Sequence, residues 1–333
     1  MAELLIDPEQ AVAGPAGPVP PRAERSIRRT ATIDMTWPSG PGGKLRLTGH
    51  ARDAVTGEAG TSPVVVDAAR MEAGIGERRV IEDIAADPAP DGLDKLVGER
   101  GGGHLRVALA EHFPEERQRG TLLYLMLDDI SGTSLIGGVV WARWPDLALS
   151  RSGPGPDMEG VCIGFRPGSH ALVEVSRSQG PPRVRPVPSL VHTEDPGGWH
   201  PLPDLPAIGS RRARHIEVRV QGGKVLIDAG FQDSATDPDH GRVGIHEYRI
   251  RASADRETLV LDTLEPVAHV LPFRECPAAV GTASAMIGSP LGDLRDSVLE
   301  QLSASRGCTH LNDALRSLAE VPVLVEKLES APH

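Results

Sequence analysis

The sequence predicts an α+β fold of two homologous units, each about four antiparallel strands followed by two helices, related by a pseudo-twofold axis. Two observations lead there. The same landmarks recur in the same order at an offset near 180 residues, far longer than the roughly 20–50-residue period of a solenoid, so the repeat is domain-sized. Within each copy, apolar residues first alternate with period two and then recur at spacings of three and four, which marks half-buried strands giving way to amphipathic helices.

The second copy reads most clearly. In RHIEVRV (Arg214–Val220), Ile216, Val218 and Val220 share one face of a strand while charges take the other. Gly222-Gly223 supplies a hairpin turn into KVLIDAGFQD, because residues that accept positive φ match the twist of paired strands. HEYRIRASAD and RETLVLDTLEP form a second pair with Asp255-Arg256 at the turn. After Gly288, Leu291, Leu294, Val298 and Leu302 recur at helical spacing, and a further helix beginning near Thr309 carries Leu311, Leu315 and Leu318.

The first copy repeats these features. GGKLRLTGHARDAVT from Gly42 answers GGKVLIDAGFQDSAT from Gly222, setting Asp53 against Asp233 and Thr56 against Thr236. SIRRTATID from Ser26 answers SRRARHIEV from Ser210, Gly98 answers Gly288, and Arg119-Gly120 answers Arg306-Gly307. The expected division is a flexible Pro/Ala/Gly tail over 1–24, an N-terminal unit over 25–149, a Gly/Pro-rich connector or lid over 150–209, and a C-terminal unit over 210–328.

A net charge of −11 leaves no basic surface for a polyanion, which argues against nucleic acid and anionic membranes as partners. Cys162, Cys276 and Cys308 form neither a disulfide framework nor a CxxC pair, as suits a reducing compartment. MAELLIDPEQ has neither a basic start nor an apolar run, so no signal peptide is expected. The apolar stretch Leu122–Trp144 is broken by Asp128 and Asp129, which argues against a bilayer span. The expectation is a cytoplasmic protein handling a small-molecule substrate, with a homo-oligomer compatible with the composition.

The candidate chemistry gathers in the second copy. In RGCTHLND, Thr309 is expected as the N-cap, with Cys308 before it and His310 as the first helical residue. A thiol beside a helix N-terminus can have its thiolate favoured, yet a capped helix with a packed cysteine explains the same residues. The copies differ here: the first has Thr121 and Leu123 in place of Cys308 and His310. They differ again where His246 and Glu247 face Asp67 and Ala68. Asp233, shared with Asp53, reads either as a strand-end device or as a third member beside the two imidazoles. Together they would supply acid–base chemistry or ligands for a divalent metal. DPDHG (Asp237–Gly241) reads as a turn, Cys276 before Pro277 as a buried corner, and GERGGGH (Gly98–His104) lacks the lysine of a phosphate loop.

RHIEV, FQDSATD, GIHEYRIRASAD, ECP and GCTHLNDALRSLAE together resemble the bacterial domain of unknown function twenty-eight eighty-nine. The resemblance maps its shared positions onto Asp233, Ile245-His246-Glu247, Cys276-Pro277 and Gly307 to Leu311, with the whole chain similar to longer two-unit members. It implies a setting in bacterial breakdown of organic acids and aromatic or steroid-like compounds, with no settled activity to carry over; the cofactor expectation is none or unknown, with a divalent metal as the alternative. The functional expectation is an enzyme acting on a small organic molecule by hydrolysis, lactone opening or isomerisation. His310 and His246 would be acid/base groups or metal ligands, Cys308 a nucleophile or ligand, and Asp233 or Glu247 the orienting group. A non-catalytic binding protein with an apolar pocket is the alternative.

Overall fold

The computed structural model describes residues 12–40, 43–58, 61–142, 144, 158–172 and 184–331. It is a mixed α+β fold around one large antiparallel sheet. The strands are β1 (Ser26–Thr36), β2 (Leu45–Thr56), β3 (Val64–Ile75), β4 (Ile81–Asp87), β5 (Arg185–Pro186), β6 (Gly209–Gln221), β7 (Lys224–Asp237), β8 (Gly241–Asp255) and β9 (Leu261–Val270). They lie in the order β4-β3-β2-β1-β6-β7-β8, and both β9 and the short β5 pair with β8. The central pair is β1 with β6, with Ala31 opposite Arg214. The strand read from RHIEVRV extends further at both ends, over Gly209–Gln221.

Seven α-helices are described: α1 (Gly103–His112), α2 (Pro114–Gln118), α3 (Leu122–Ala142), α4 (Ala279–Thr282), α5 (Leu294–Gln301), α6 (Thr309–Ser317) and α7 (Val321–Ser330). The longer ones cover one sheet face, α3 over β1 to β3 and α7 across β1 and β6. Period-two alternation decides which strand residues meet them. Ile27, Ile33 and Met35 of β1 and Ile216 and Val218 of β6 are buried on that side. The intervening positions reach the other face, where Ala213 packs with Val19, Leu190 and Trp199.

That second face is where two expectations change. Residues 12–24, expected as a flexible tail, are tied down: Ala13 N–H donates to the Ala268 carbonyl and Val19 N–H to that of Leu190, each at 2.9 Å, and Arg22 pairs with Asp195 at 2.8 Å. A Pro/Gly segment needs no core of its own when a sheet face needs covering. The connector is divided in its use. Leu190, Val191, Trp199 and Leu202 lie against this face, whereas 158–165 reach the helix side, where Ile163 N–H donates to the Gly307 carbonyl at 2.8 Å. Residues 1–11 of the tail, 145–149 at the end of the N-terminal unit, and 150–157 and 173–183 of the connector lie outside the described residues.

Helix α3 is long and apolar enough to cross a membrane by length and composition, over Leu122–Val140, but 83% of that window is buried inside the protein. Asp128 and Asp129 explain its place. Asp128 accepts from Arg295 at 2.5 Å and Arg316 at 2.9 Å, and Asp129 from Arg214 at 2.7 Å. Buried charges persist only when paired and hydrogen-bonded, so these contacts dock the helix in one register.

Candidate functional site

Three neighbouring strands set the floor of the site. Arg212 of β6 is directly opposite Asp233 of β7, which is directly opposite His246 of β8. Residues opposite one another on one face have side chains within contact distance, so the row Arg212–Asp233–His246 follows from register alone. The register then shifts: Ser234 pairs with Gly244, leaving Ile245 unpaired. Such a bulge re-aims side chains, and Ile245 and His246 both reach one pocket.

Helix α6 supplies the roof. Its N-cap is Cys308, with extended φ −101° and ψ 126°, so the helix starts one residue earlier than the Thr309 cap expected from sequence. His310 and Asp313 are one turn apart and share a face toward the strands. The rings of His310 and His246 stack with centroids 3.5 Å apart and 18° between planes. His310 Nδ1 is 3.1 Å from Asp233 Oδ2. His246 Nδ1 is 3.4 Å from the same oxygen, off the line of a hydrogen bond, and has no other partner among the described residues.

Arg212 balances these groups. Its guanidinium forks onto Asp233 at 2.9 and 3.1 Å and also reaches Asp129 at 3.3 Å and Asp313 at 3.2 Å. Burial raises the Asp233 carboxyl pKa, but Arg212 and the imidazole contacts outweigh it and hold the group well below the usual carboxylate range. Burial, with His310 alongside, pushes His246 down to about 3, so its ring is neutral at physiological pH. Arg212 also lies 3.3 Å from His310 Nδ1, so arginine and carboxylate make opposite demands on that nitrogen. The nearer, anionic Asp233 requires a proton there, which places the lone pair on Nε2.

Both imidazoles line a pocket of about 180 Å³. Leu135, Ile136 and Val139 of α3 form one wall, Cys162 and Phe165 of the connector a second, and Phe273, Cys276 and Cys308 a third. Phe165 and Phe273 meet edge to face at 5.1 Å. Burial raises all three thiol pKa values, that of Cys308 to about 11 despite the nearby N–H groups of His310 and Leu311. Cys308 is therefore a protonated wall of the pocket at neutral pH, not a thiolate nucleophile.

Of the sequence candidates, Asp233, His246, His310 and Cys308 converge; Glu247 does not. Adjacent strand residues face opposite sides, and Glu247 accepts from Gln232 Nε2 at 2.8 Å and Ala16 N–H at 2.9 Å on the second face. Asp233, His246 and His310 offer ligand atoms within 4.8 Å of one another, spacing that a metal ion would accept. Arg212, however, already places a permanent cation against Asp233 and His310, and an added divalent ion would meet that charge. Asp237, Asp239 and His240 also cluster, at the turn expected from DPDHG, where Asp237 accepts both following N–H groups at 3.0 Å. Sequence reasoning missed Arg212, Asp129 and Asp313. Arginines two apart in a strand with an apolar side, and paired acids inside an apolar run, were the available signals.

Fold and site together define a mixed α+β protein with a buried imidazole–carboxylate cluster opening into an apolar pocket. Residues 210–324, which contain Arg212, Asp233, His246, Cys308 and His310, match the model of a family described as Protein of unknown function (DUF2889). No curated protein and no solved structure matches the chain.

Proposed function

We propose that this chain is an enzyme acting on a small organic molecule by general acid–base chemistry, with hydrolysis, lactone opening or isomerisation as the reaction class. One observation carries the reading: two stacked, buried imidazoles share one ionised carboxylate and face an apolar pocket. Asp233 orients His310 with its proton on Nδ1, leaving Nε2 to accept a proton from water or from a carbon next to a carbonyl. Arg212 keeps Asp233 ionised, and the low-dielectric surroundings strengthen each of these interactions. A cytoplasmic, bacterial setting accompanies this proposal.

We also propose that the chain is a duplicated module, with the chemistry kept in the later copy. Register supports this. Arg29 pairs with Asp53 as Arg212 pairs with Asp233, and a register shift follows Asp53 as one follows Asp233. Where β8 has His246, β3 has Asp67, and Lys327 bridges Asp53 and Asp67 at 2.6 Å each. The ancestral feature on this account is the arginine–aspartate pair, on which the second copy placed imidazoles.

The test is turnover of a panel of neutral esters and lactones by the wild-type chain and by His310→Ala. Loss of about 10²–10⁴-fold with the fold intact is expected for a missing acid–base group. Unchanged turnover by the variant removes the proposal. The second reading, a non-catalytic binding protein, is favoured by the apolar walls and protonated thiols; it predicts ligand-dependent stabilisation with no product.

A further inference from the structure

We infer that the pocket selects an uncharged substrate and releases an anionic product, which makes a neutral cyclic or open-chain ester its ligand class. This rests on the acid–base reading of the same site and adds the substrate to it. Among the described residues lining the pocket, none is Asp, Glu, Lys or Arg. Arg212, the cation in contact with His310, meets Nδ1 of that ring and is already shared among Asp233, Asp129 and Asp313. A carboxylate entering the pocket would lose its hydration and find no counter-ion among these lining residues, whereas an ester needs only an apolar wall and one polar contact. The volume of about 180 Å³ is below the roughly 300–1,000 Å³ of clefts that hold drug-sized ligands, so the substrate is small.

The reaction that follows conserves every atom. Water gives a proton to His310 Nε2 as its oxygen bonds to the acyl carbon. The ring C–O bond then breaks, and the departing alkoxide takes the proton from the imidazolium. The product hydroxy acid ionises, and the carboxylate, which has no partner in the pocket, leaves for water. The same physics that admits the substrate expels the product.

Thermal stabilisation and calorimetry with γ-octalactam, a neutral lactone isostere, and octanoate, an anion of similar apolar size, test this. Wild-type protein is expected to bind the lactam at least about tenfold more tightly than octanoate, since nothing pays for burying the charge. Val161, at the pocket rim and 36% exposed, can accept a long cationic side chain, and Val161→Lys is expected to bring octanoate affinity to or above that of the lactam. Equal binding of both probes by wild type, preference for octanoate, or binding of neither overturns the inference, as does Val161→Lys without effect on selectivity. Because the measurement reads binding alone, it stands apart from turnover by His310→Ala, whose failure would sink the acid–base reading by itself.

Discussion

Arg212 does more at the residue scale than any side chain singled out from sequence. It is among the largest fully buried side chains and serves three carboxylates at once. Burying a guanidinium is unfavourable, and the cluster tolerates it because each charge has a hydrogen-bonded partner of opposite sign. Arg212→Leu keeps much of the volume but leaves Asp233 without its counter-charge. Unfolding in denaturant should show a loss of about 3–5 kcal/mol, the usual cost of breaking a buried pair on one side. A midpoint within experimental error of wild type would show that the carboxylates are satisfied some other way.

At the scale of elements, the site depends on close approach between α3, β6 and α6. Gly132 of α3 is the contact point: a Cβ built there would stand 2.3 Å from Arg212 Nη1 and 2.5 Å from Asp313 Oδ2. Alanine favours an isolated helix over glycine by about 1 kcal/mol. Gly132→Ala should nonetheless lower the melting temperature, because the methyl group pushes α3 away from the charged cluster. A higher melting temperature would place α3 less tightly than described.

Local patterns made the strands, the hairpin at Gly222-Gly223 and the helix after Gly288 legible in the sequence, since period and turn chemistry are local. His246, Cys308 and His310 were also legible as types of residue in one copy only, and Asp233 as an acid common to both. Their meeting was not, because it depends on a register set by β6, β7 and β8 and on the bulge at Ile245. The adjacent Glu247 shows the limit: one residue along a strand reverses the face. The Asp128-Asp129 pair read as a reason against a bilayer and proved to be the socket for Arg212, Arg214, Arg295 and Arg316.

Across the whole molecule, buried neutral imidazoles make stability depend on pH. Burial is the main cause in each case, lowering His246 and His200 to about 3 and His215 to about 4, from an ordinary value of 6.5. His200 is held between Thr30 and Thr32 on the second face, at 2.8 Å from each hydroxyl, so the effect is spread over both sides of the sheet. As pH falls through 6.5, the unfolded chain takes up protons that these folded sites refuse. Stability is therefore full above pH 6.5 and declines toward pH 4, by on the order of 4 kcal/mol per pH unit when all three act. Below that, Asp53 and Asp233, whose pKa values are lowered on folding despite burial, extend the loss. Denaturant midpoints between pH 7.5 and 4.5 check this; a flat profile would mean that the imidazoles are hydrated.

The most direct measurement is side-chain ¹⁵N NMR of the imidazoles at neutral pH, in wild type and in Asp233→Asn. With Asp233 Oδ2 3.1 Å from His310 Nδ1, the proton is expected on Nδ1 and the lone pair on Nε2, an arrangement that weakens when the carboxylate becomes an amide. A proton on His310 Nε2 in the wild-type protein, or spectra unchanged by Asp233→Asn, would contradict it.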